Sequence, residues 1–394
     1  MMAGPGLKEW KPIKDLQKIF HYTDIHSCKP TRDDNPYQYL QRWGNSHQSE
    51  VIPNTLPVAQ NNPKELCFGL YMEGTTYSAF VSPRVANFSV YLYCIRPAAA
   101  HNDYTKNVYI NYAEKIDFVD ELHTLAGSGD PNLREGIALY VCMINADMDY
   151  RAFCNTGGDF LLFAQLGNLN IQTEMVWESM WELPDLGPLG GHGLANPRDF
   201  LYPVAHIDDN LHEYWSIINK NNGKYNEISQ DHSPFDIVAW HGNVVPYKYD
   251  LTKFASQNAT SIDHTDPSVN CVLTAKSLGP NNPLTDFLWF GSRWDGARNS
   301  FRLPYFHRNS ATEFLACLYG QGLGCSDEFL PGGGSVDVSH TPHGGFSEGY
   351  VHEMKIQVNE PRKILENQMI IMVETSRSLL LTEYARVGCG TFNS

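Results

Sequence analysis

Long apolar runs are missing from this sequence. The longest, around Ile137 to Ala146 and Met369 to Val373, fall far short of the ~18 residues of a membrane-spanning helix, so none is expected. The N-terminal stretch Met-Met-Ala-Gly-Pro-Gly-Leu-Lys-Glu has no apolar h-region, so no signal peptide is expected and the expected compartment is cytoplasmic. Paired cysteines are lacking too. The nine cysteines, at 28, 67, 94, 142, 154, 271, 317, 325 and 389, are odd in number and never form Cys-x-x-Cys. That argues against a disulfide framework or a structural zinc site and for a reducing environment. Basic residues are scarce: 29 Lys and Arg face 44 Asp and Glu, a net charge of −15. Such a surface repels phosphate backbones and anionic lipid, so neither nucleic acid nor a membrane is an expected partner. No Gly-x-Ser-x-Gly elbow and no His-Glu-x-x-His occur, and no Lys-Ser/Thr follows the Gly332–Gly334 triplet. A serine hydrolase, a zincin and a phosphate-binding loop therefore lack support.

What is present reads as a globular chain of 394 residues with 42 % apolar side chains, long enough for two domains. Its 31 glycines and 23 prolines punctuate short runs rich in aromatic and β-branched residues. Phe88 to Ile95, Gly136 to Ile144, Phe160 to Ala164, Cys271 to Ala275 and Met369 to Thr375 are the strand candidates. Helical periodicity is weak, and its best places are Ile13 to Phe20 and Ser326 onward. Many short strands between Gly and Pro turns predict a mainly β sandwich or barrel. The Gly- and Pro-dense stretch from Leu183 to Arg198 marks a crossing between an N-terminal and a C-terminal β domain.

The sharpest chemical feature is Tyr305-Phe-His-Arg-Asn-Ser-Ala-Thr-Glu-Phe. His307 and Glu313 are six apart, about 20 Å along a straight strand, so one metal could join them only if the segment bends. His343 follows a Gly-rich turn. Two imidazoles and a carboxylate on one face of Fe(II) leave three positions open for a chelating substrate and O₂. Spacing alone leaves other readings open: isolated histidines are commonly surface or satisfied core residues, and the glycine triplet also suits a hairpin.

Longer motifs carry a resemblance. Pro234 to Leu251, Asp263-His-Thr-Asp-Pro-Ser, Thr274-Ala-Lys-Ser, Tyr305-Phe-His-Arg-Asn, Phe329-Leu-Pro-Gly-Gly-Gly-Ser and Thr341-Pro-His-Gly resemble the homogentisate 1,2-dioxygenase family. So do Leu122-His-Thr-Leu-Ala-Gly-Ser-Gly-Asp, Asn155-Thr-Gly-Gly-Asp-Phe-Leu and Glu182-Leu-Pro-Asp-Leu-Gly-Pro-Leu-Gly, and the likeness runs from about Tyr39 to about Tyr384. The resemblance implies two jelly-roll, cupin-like β domains, here 1–182 and 183–394, with Fe(II) in the second. It implies iron ligands at His307, Glu313 and His343, and a general base at His264. It implies ring opening of homogentisate by O₂ to maleylacetoacetate, in a homo-oligomer, trimer or hexamer. Arg308 and Asn309 flank the first ligand. Asn309 is a candidate substrate contact, with turn capping as its other reading.

Departures from the resemblance accompany these matches. Gly322 stands where the family has a substrate-binding Tyr, Cys325 where it has Lys, and Asp337 where it has His. Gly345-Phe follows Thr341-Pro-His-Gly in place of Pro-Asp. The substrate pocket, bordered by His343, Asn309, Gly322 and Asp337, is thus expected to gain volume and a carboxylate. That leaves two alternatives to homogentisate cleavage: a paralogue acting on another hydroquinone or gentisate-like ring, or a non-catalytic cupin-like protein. Between Gln165 and Glu182 the chain is too short for strands that the family carries. The N-terminal domain is therefore expected to be trimmed, with an opened sheet edge or exposed apolar surface.

Overall fold

The computed structural model describes residues 71–74, 91–93, 115–130, 135–155, 157–173, 181–184, 195–202, 213–221, 223–231, 233–235, 246–254, 270–277, 283–295, 303, 305–320, 329–356 and 360–388. Among them the chain is mainly β, consistent with cupin-like domains. Its strands are β1 (Tyr71–Gly74), β2 (Tyr91–Tyr93), β3 (His123–Ser128), β4 (Ile137–Val141), β5 (Arg151–Asn155), β6 (Trp181–Glu182), β7 (Trp215–Asn221) and β8 (Lys224–Gln230). They continue with β9 (Cys271–Lys276), β10 (Pro283–Asp295), β11 (Phe306–Arg308), β12 (Thr312–Tyr319), β13 (Gly334–Asp337), β14 (Arg362–Thr375) and β15 (Leu380–Leu381). One α-helix, α1 (Ser347–Lys355), precedes β14.

The centre is an antiparallel sheet of order β13-β12-β14-β10-β9-β6. Its strands read as near-continuous apolar runs because both faces are covered. Register pairs Phe287 with Val373, Leu288 with Met372 and Trp289 with Ile371, so successive side chains alternate between faces. On one face Phe287, Trp289, Leu318, Ile371 and Val373 join Phe254 and Leu273 in the main core. On the other, Leu288 and Met372 pack with Cys271, while Cys317 and Ile370 pack with Phe329. Full burial of each such side chain is worth about 1.5–3 kcal/mol.

Three smaller sheets join distant parts of the chain. β11 pairs in parallel with β1, which also pairs with β2. β15 pairs with β3, which pairs with β4. β5 runs parallel to β7, itself hairpinned to β8. Strands on either side of the Leu183–Arg198 stretch therefore share sheets.

Two expectations need correction. Phe160 to Ala164 is not a strand. Its apolar residues pack instead of pairing: the Phe163 ring stacks on Phe287 with centroids 4.4 Å apart. The helix is not where periodicity was sought either. Ile13 to Phe20 lies outside the described residues, and the described residues that follow Ser326 most closely, Phe329 and Leu330, are irregular. α1 carries no apolar stripe because its one buried side chain is Glu353, held at 2.6 Å by Arg362. An ionic inner face gives no amphipathic signal.

Residues 157–173 contain no strand, and Leu162, Leu166, Leu169 and Ile171 are exposed, Leu166 at 83 %. Beside them an apolar cleft of about 990 Å³ separates β3 and β4 from Phe314, Ala316, Ile371 and Val373. Among the described residues, no helix is long and apolar enough to cross a membrane.

Candidate metal centre

The metal end of the central sheet is built by a bend. β11 carries His307; the chain turns through Asn309, Ser310 and Ala311; β12 then brings Glu313 back. Asn309 makes the turn, its Oδ1 accepting the Ala311 amide at 3.1 Å. This is an Asx-type turn, in which a short polar side chain substitutes for a backbone partner. His343 sits beside His307 through a two-way backbone bridge, N–H to O=C at 2.8 Å in each direction. The two rings lie 4.3 Å apart at 61°.

These elements bring His307, Glu313 and His343 together, with one ligand atom from each within 4.8 Å of the others. Among the described residues no other group of three His, Cys, Asp or Glu is so arranged. Both imidazoles are oriented alike. His307 Nδ1–H donates to the Tyr305 carbonyl at 2.6 Å, and His343 Nδ1–H to the Thr341 carbonyl at 2.9 Å. These assignments leave each Nε2 as the lone-pair nitrogen. His343 Nε2 is buried without a hydrogen-bond partner, facing Glu313 Oε1 at 3.4 Å. A buried imidazole nitrogen left unbonded beside a carboxylate is what a metal ligand looks like before it binds, and the set of two nitrogens and one oxygen fits a divalent transition metal.

Burial disfavours charge on both Glu313 and His343, but their mutual attraction outweighs it. Contacts with His343, His307 and Asn309 pull the Glu313 carboxyl down to about 2. Glu313 above all, with Asp337 adding, lifts His343 to about 9. The two shifts report one interaction and count once. The sign follows for metal-free protein. A raised His343 contributes stability in full below its ordinary value of 6.5 and loses it as pH rises through about 9. A lowered Glu313 contributes above 4.5 and loses it as pH falls through about 2. Melting of metal-stripped protein should therefore drop between pH 6.5 and 9, and His343→Gln should flatten that drop. A wild-type profile level from pH 6.5 to 9 would refute the pairing. Metal affinity should rise over the same range, because binding displaces the proton.

Asp337 lies directly opposite Glu313 across β13 and β12. Register then runs from Glu313 to Glu374, from Glu374 to Asp286 and from Asp286 to Thr274. Residues directly opposite share a face, with Cβ atoms about 4.5–5.5 Å apart. The carboxylates of Glu374 and Asp286, exposed by only 1 % and 0 %, thus stand in a row behind the ligand. Thr274 donates its hydroxyl to Asp286. Sequence reasoning missed both. Their one signal is an acidic residue set inside an apolar run, Met369 to Val373 before Glu374 and Phe287 to Phe290 after Asp286.

The bend that His307 and Glu313 required is present, and Asn309 is spent within it: its Nδ2 donates to Glu313 Oε1 at 2.6 Å. His264, Gly322 and Cys325 lie outside the described residues.

Comparison with known proteins follows the same residues. A family described as homogentisate 1,2-dioxygenase N-terminal matches residues 38–110, 106–177 and 175–251, and one described as homogentisate 1,2-dioxygenase C-terminal matches 252–391. The homogentisate 1,2-dioxygenase of Homo sapiens is 37 % identical, over 88 % of this chain and 92 % of its own. That of Arabidopsis thaliana is 36 % identical over 86 % and 87 %, and that of Emericella nidulans 34 % over 90 % and 92 %.

Proposed function

The chain belongs to the homogentisate 1,2-dioxygenase family of ring-cleaving dioxygenases, and from that premise we propose that it opens the ring of homogentisate with O₂, holding Fe(II) between His307, Glu313 and His343. The observation that carries the reading is the convergence of those three side chains, with a lone-pair nitrogen on each histidine. Fe(II) there would supply Lewis acidity to a ring hydroxyl and open positions for the hydroquinone and O₂. The chain's own residues do the rest. Tyr305 and Thr341 hold the imidazole tautomers, and Glu313 brings the negative charge that a divalent ion needs. His264 accepts the phenolic proton, since a neutral imidazole titrates near working pH. Asp337, across from Glu313, and Gly322 border the substrate. A carboxylate at Asp337 disfavours the acetate group if the two are close, so the acetate points away from β13. The same reading includes a homo-oligomer, trimer or hexamer, in the cytoplasm, supported by the exposed Leu166, Tyr202 and Tyr214.

The test is O₂ uptake by Fe(II)-reconstituted protein, offered homogentisate beside gentisate and unsubstituted hydroquinone. Consumption with homogentisate, one O₂ per ring and an ultraviolet-absorbing ring-opened product, is the expected result. His264→Ala should keep iron and lose turnover. Silence with homogentisate from iron-loaded protein would sink the proposal.

A further inference from the structure

Asn309 does two jobs with one side chain. Its Oδ1 accepts the Ala311 amide and so shapes the bend between the first two ligands. Its Nδ2 donates to Glu313 Oε1 at 2.6 Å, a short, charge-assisted contact. Its backbone carbonyl also accepts the His340 amide at 2.7 Å, tying the bend to the segment that leads into His343. The side chain is buried, so water competes little for any of these bonds.

Oε1 is therefore committed. It accepts from Asn309 and lies 3.4 Å from His343 Nε2. A carboxylate gripped by one oxygen cannot swing both oxygens evenly onto a single ion. We propose that Asn309 is a positioning residue that restricts Glu313 to one-oxygen coordination of the metal, keeping free a position that a two-oxygen grip would take. With two imidazoles and a one-oxygen carboxylate, three positions of an octahedral ion remain, enough for a chelating ring and O₂. A two-oxygen carboxylate would leave two. The inference rests on the metal triad proposed above and adds to it the role of the residue that sets the number of open places.

Serine separates the two jobs. In Asn309→Ser the hydroxyl still accepts the Ala311 amide, as Ser does in such turns, but it is too short to reach Glu313. In Asn309→Asp the turn acceptor is kept and the donor becomes an oxygen. The experiment loads wild type, both variants and His343→Ala with Co(II), whose visible absorption weakens as coordination number rises. Apo melting and O₂ uptake of the Fe(II) forms are measured beside it. Asn309→Ser should melt near wild type, bind Co(II), and show weaker visible absorption. Its turnover should fall about 10–100-fold, the usual cost of losing a partner of a metal ligand, with KM moving less than kcat. If Asn309→Ser melts far below wild type, Asn309→Asp carries the comparison. A wild-type Co(II) spectrum in the well-folded variant overturns the inference even if activity falls, since Asn309 then acts on substrate. Failure of wild type to bind Co(II), or retention of Co(II) by His343→Ala, would instead overturn the metal reading, and this inference with it.

Discussion

His343→Ala should release the metal and abolish O₂ uptake. Loss of a mere partner of a metal ligand costs about 10–100-fold, and loss of a ligand from a set of three must cost more. The substitution also reaches the metal-free protein. It removes the cation from a buried pair and leaves Glu313 with only Asn309 and His307 for company. Breaking such a pair from one side costs about 3–5 kcal/mol, because the surviving charge stays desolvated. The double variant His343→Ala/Glu313→Gln should recover part of that stability and none of the metal. Metal content by elemental analysis and unfolding of stripped protein check both halves. Metal retained at wild-type stoichiometry in His343→Ala would remove His343 from the site.

Gly320→Ala should be the most damaging single methyl addition in the central sheet. Gly320 closes β12 with φ of +77°, a conformation that costs an L side chain about 1 kcal/mol or more. Its added Cβ would also lie 2.2 Å from the Asn367 carbonyl oxygen and 2.8 Å from the Gln368 Cα, both backbone atoms of β14. Neither can turn aside as a side-chain tip would. Gly223, in the β7–β8 turn with φ of +67°, supplies the control, since a Cβ there meets nothing within 4 Å. Gly223→Ala should cost about 1 kcal/mol and Gly320→Ala at least about 3 kcal/mol. The difference isolates the clash from the dihedral strain. Equal losses in denaturant unfolding would show that β14 shifts freely at Asn367.

The chemistry was legible at the level of residue identity. Motifs around His307 and His343 resembled one family, and the six-residue spacing to Glu313 demanded a bend, which Asn309 forms. Spacing could not show how the bend is held, because an Asx turn and a substrate contact draw on the same amide. Nor did it reveal Glu374 and Asp286, which reach the ligand through cross-strand register; one sequence read alone contains no register. In the fold, runs buried on both faces were easily found as strands, as Cys271 to Ala275 was. Phe160 to Ala164 misled because an apolar run reports burial, and Phe163 gains burial by stacking rather than by pairing. α1 escaped notice because Glu353 and Arg362 line its buried side, and charge there cancels the periodicity that marks a helix.

The parallel pairing of β11 with β1 sets an order of events in folding. β1 leaves the ribosome early, and its partner, which holds His307, emerges only after most of the chain has been made. β3 waits longer still, for β15 near the C-terminus. Closing loops of that size costs entropy before any contact repays it, so pairing of this kind is slow and leaves early strands with open edges meanwhile. The nascent protein therefore passes through a long interval in which its N-terminal strands exist without partners, and prematurely terminated chains that end before Phe306 have no means of satisfying β1. Capacity to bind metal arrives late in synthesis, all at once, when His307, Glu313 and His343 have followed one another out.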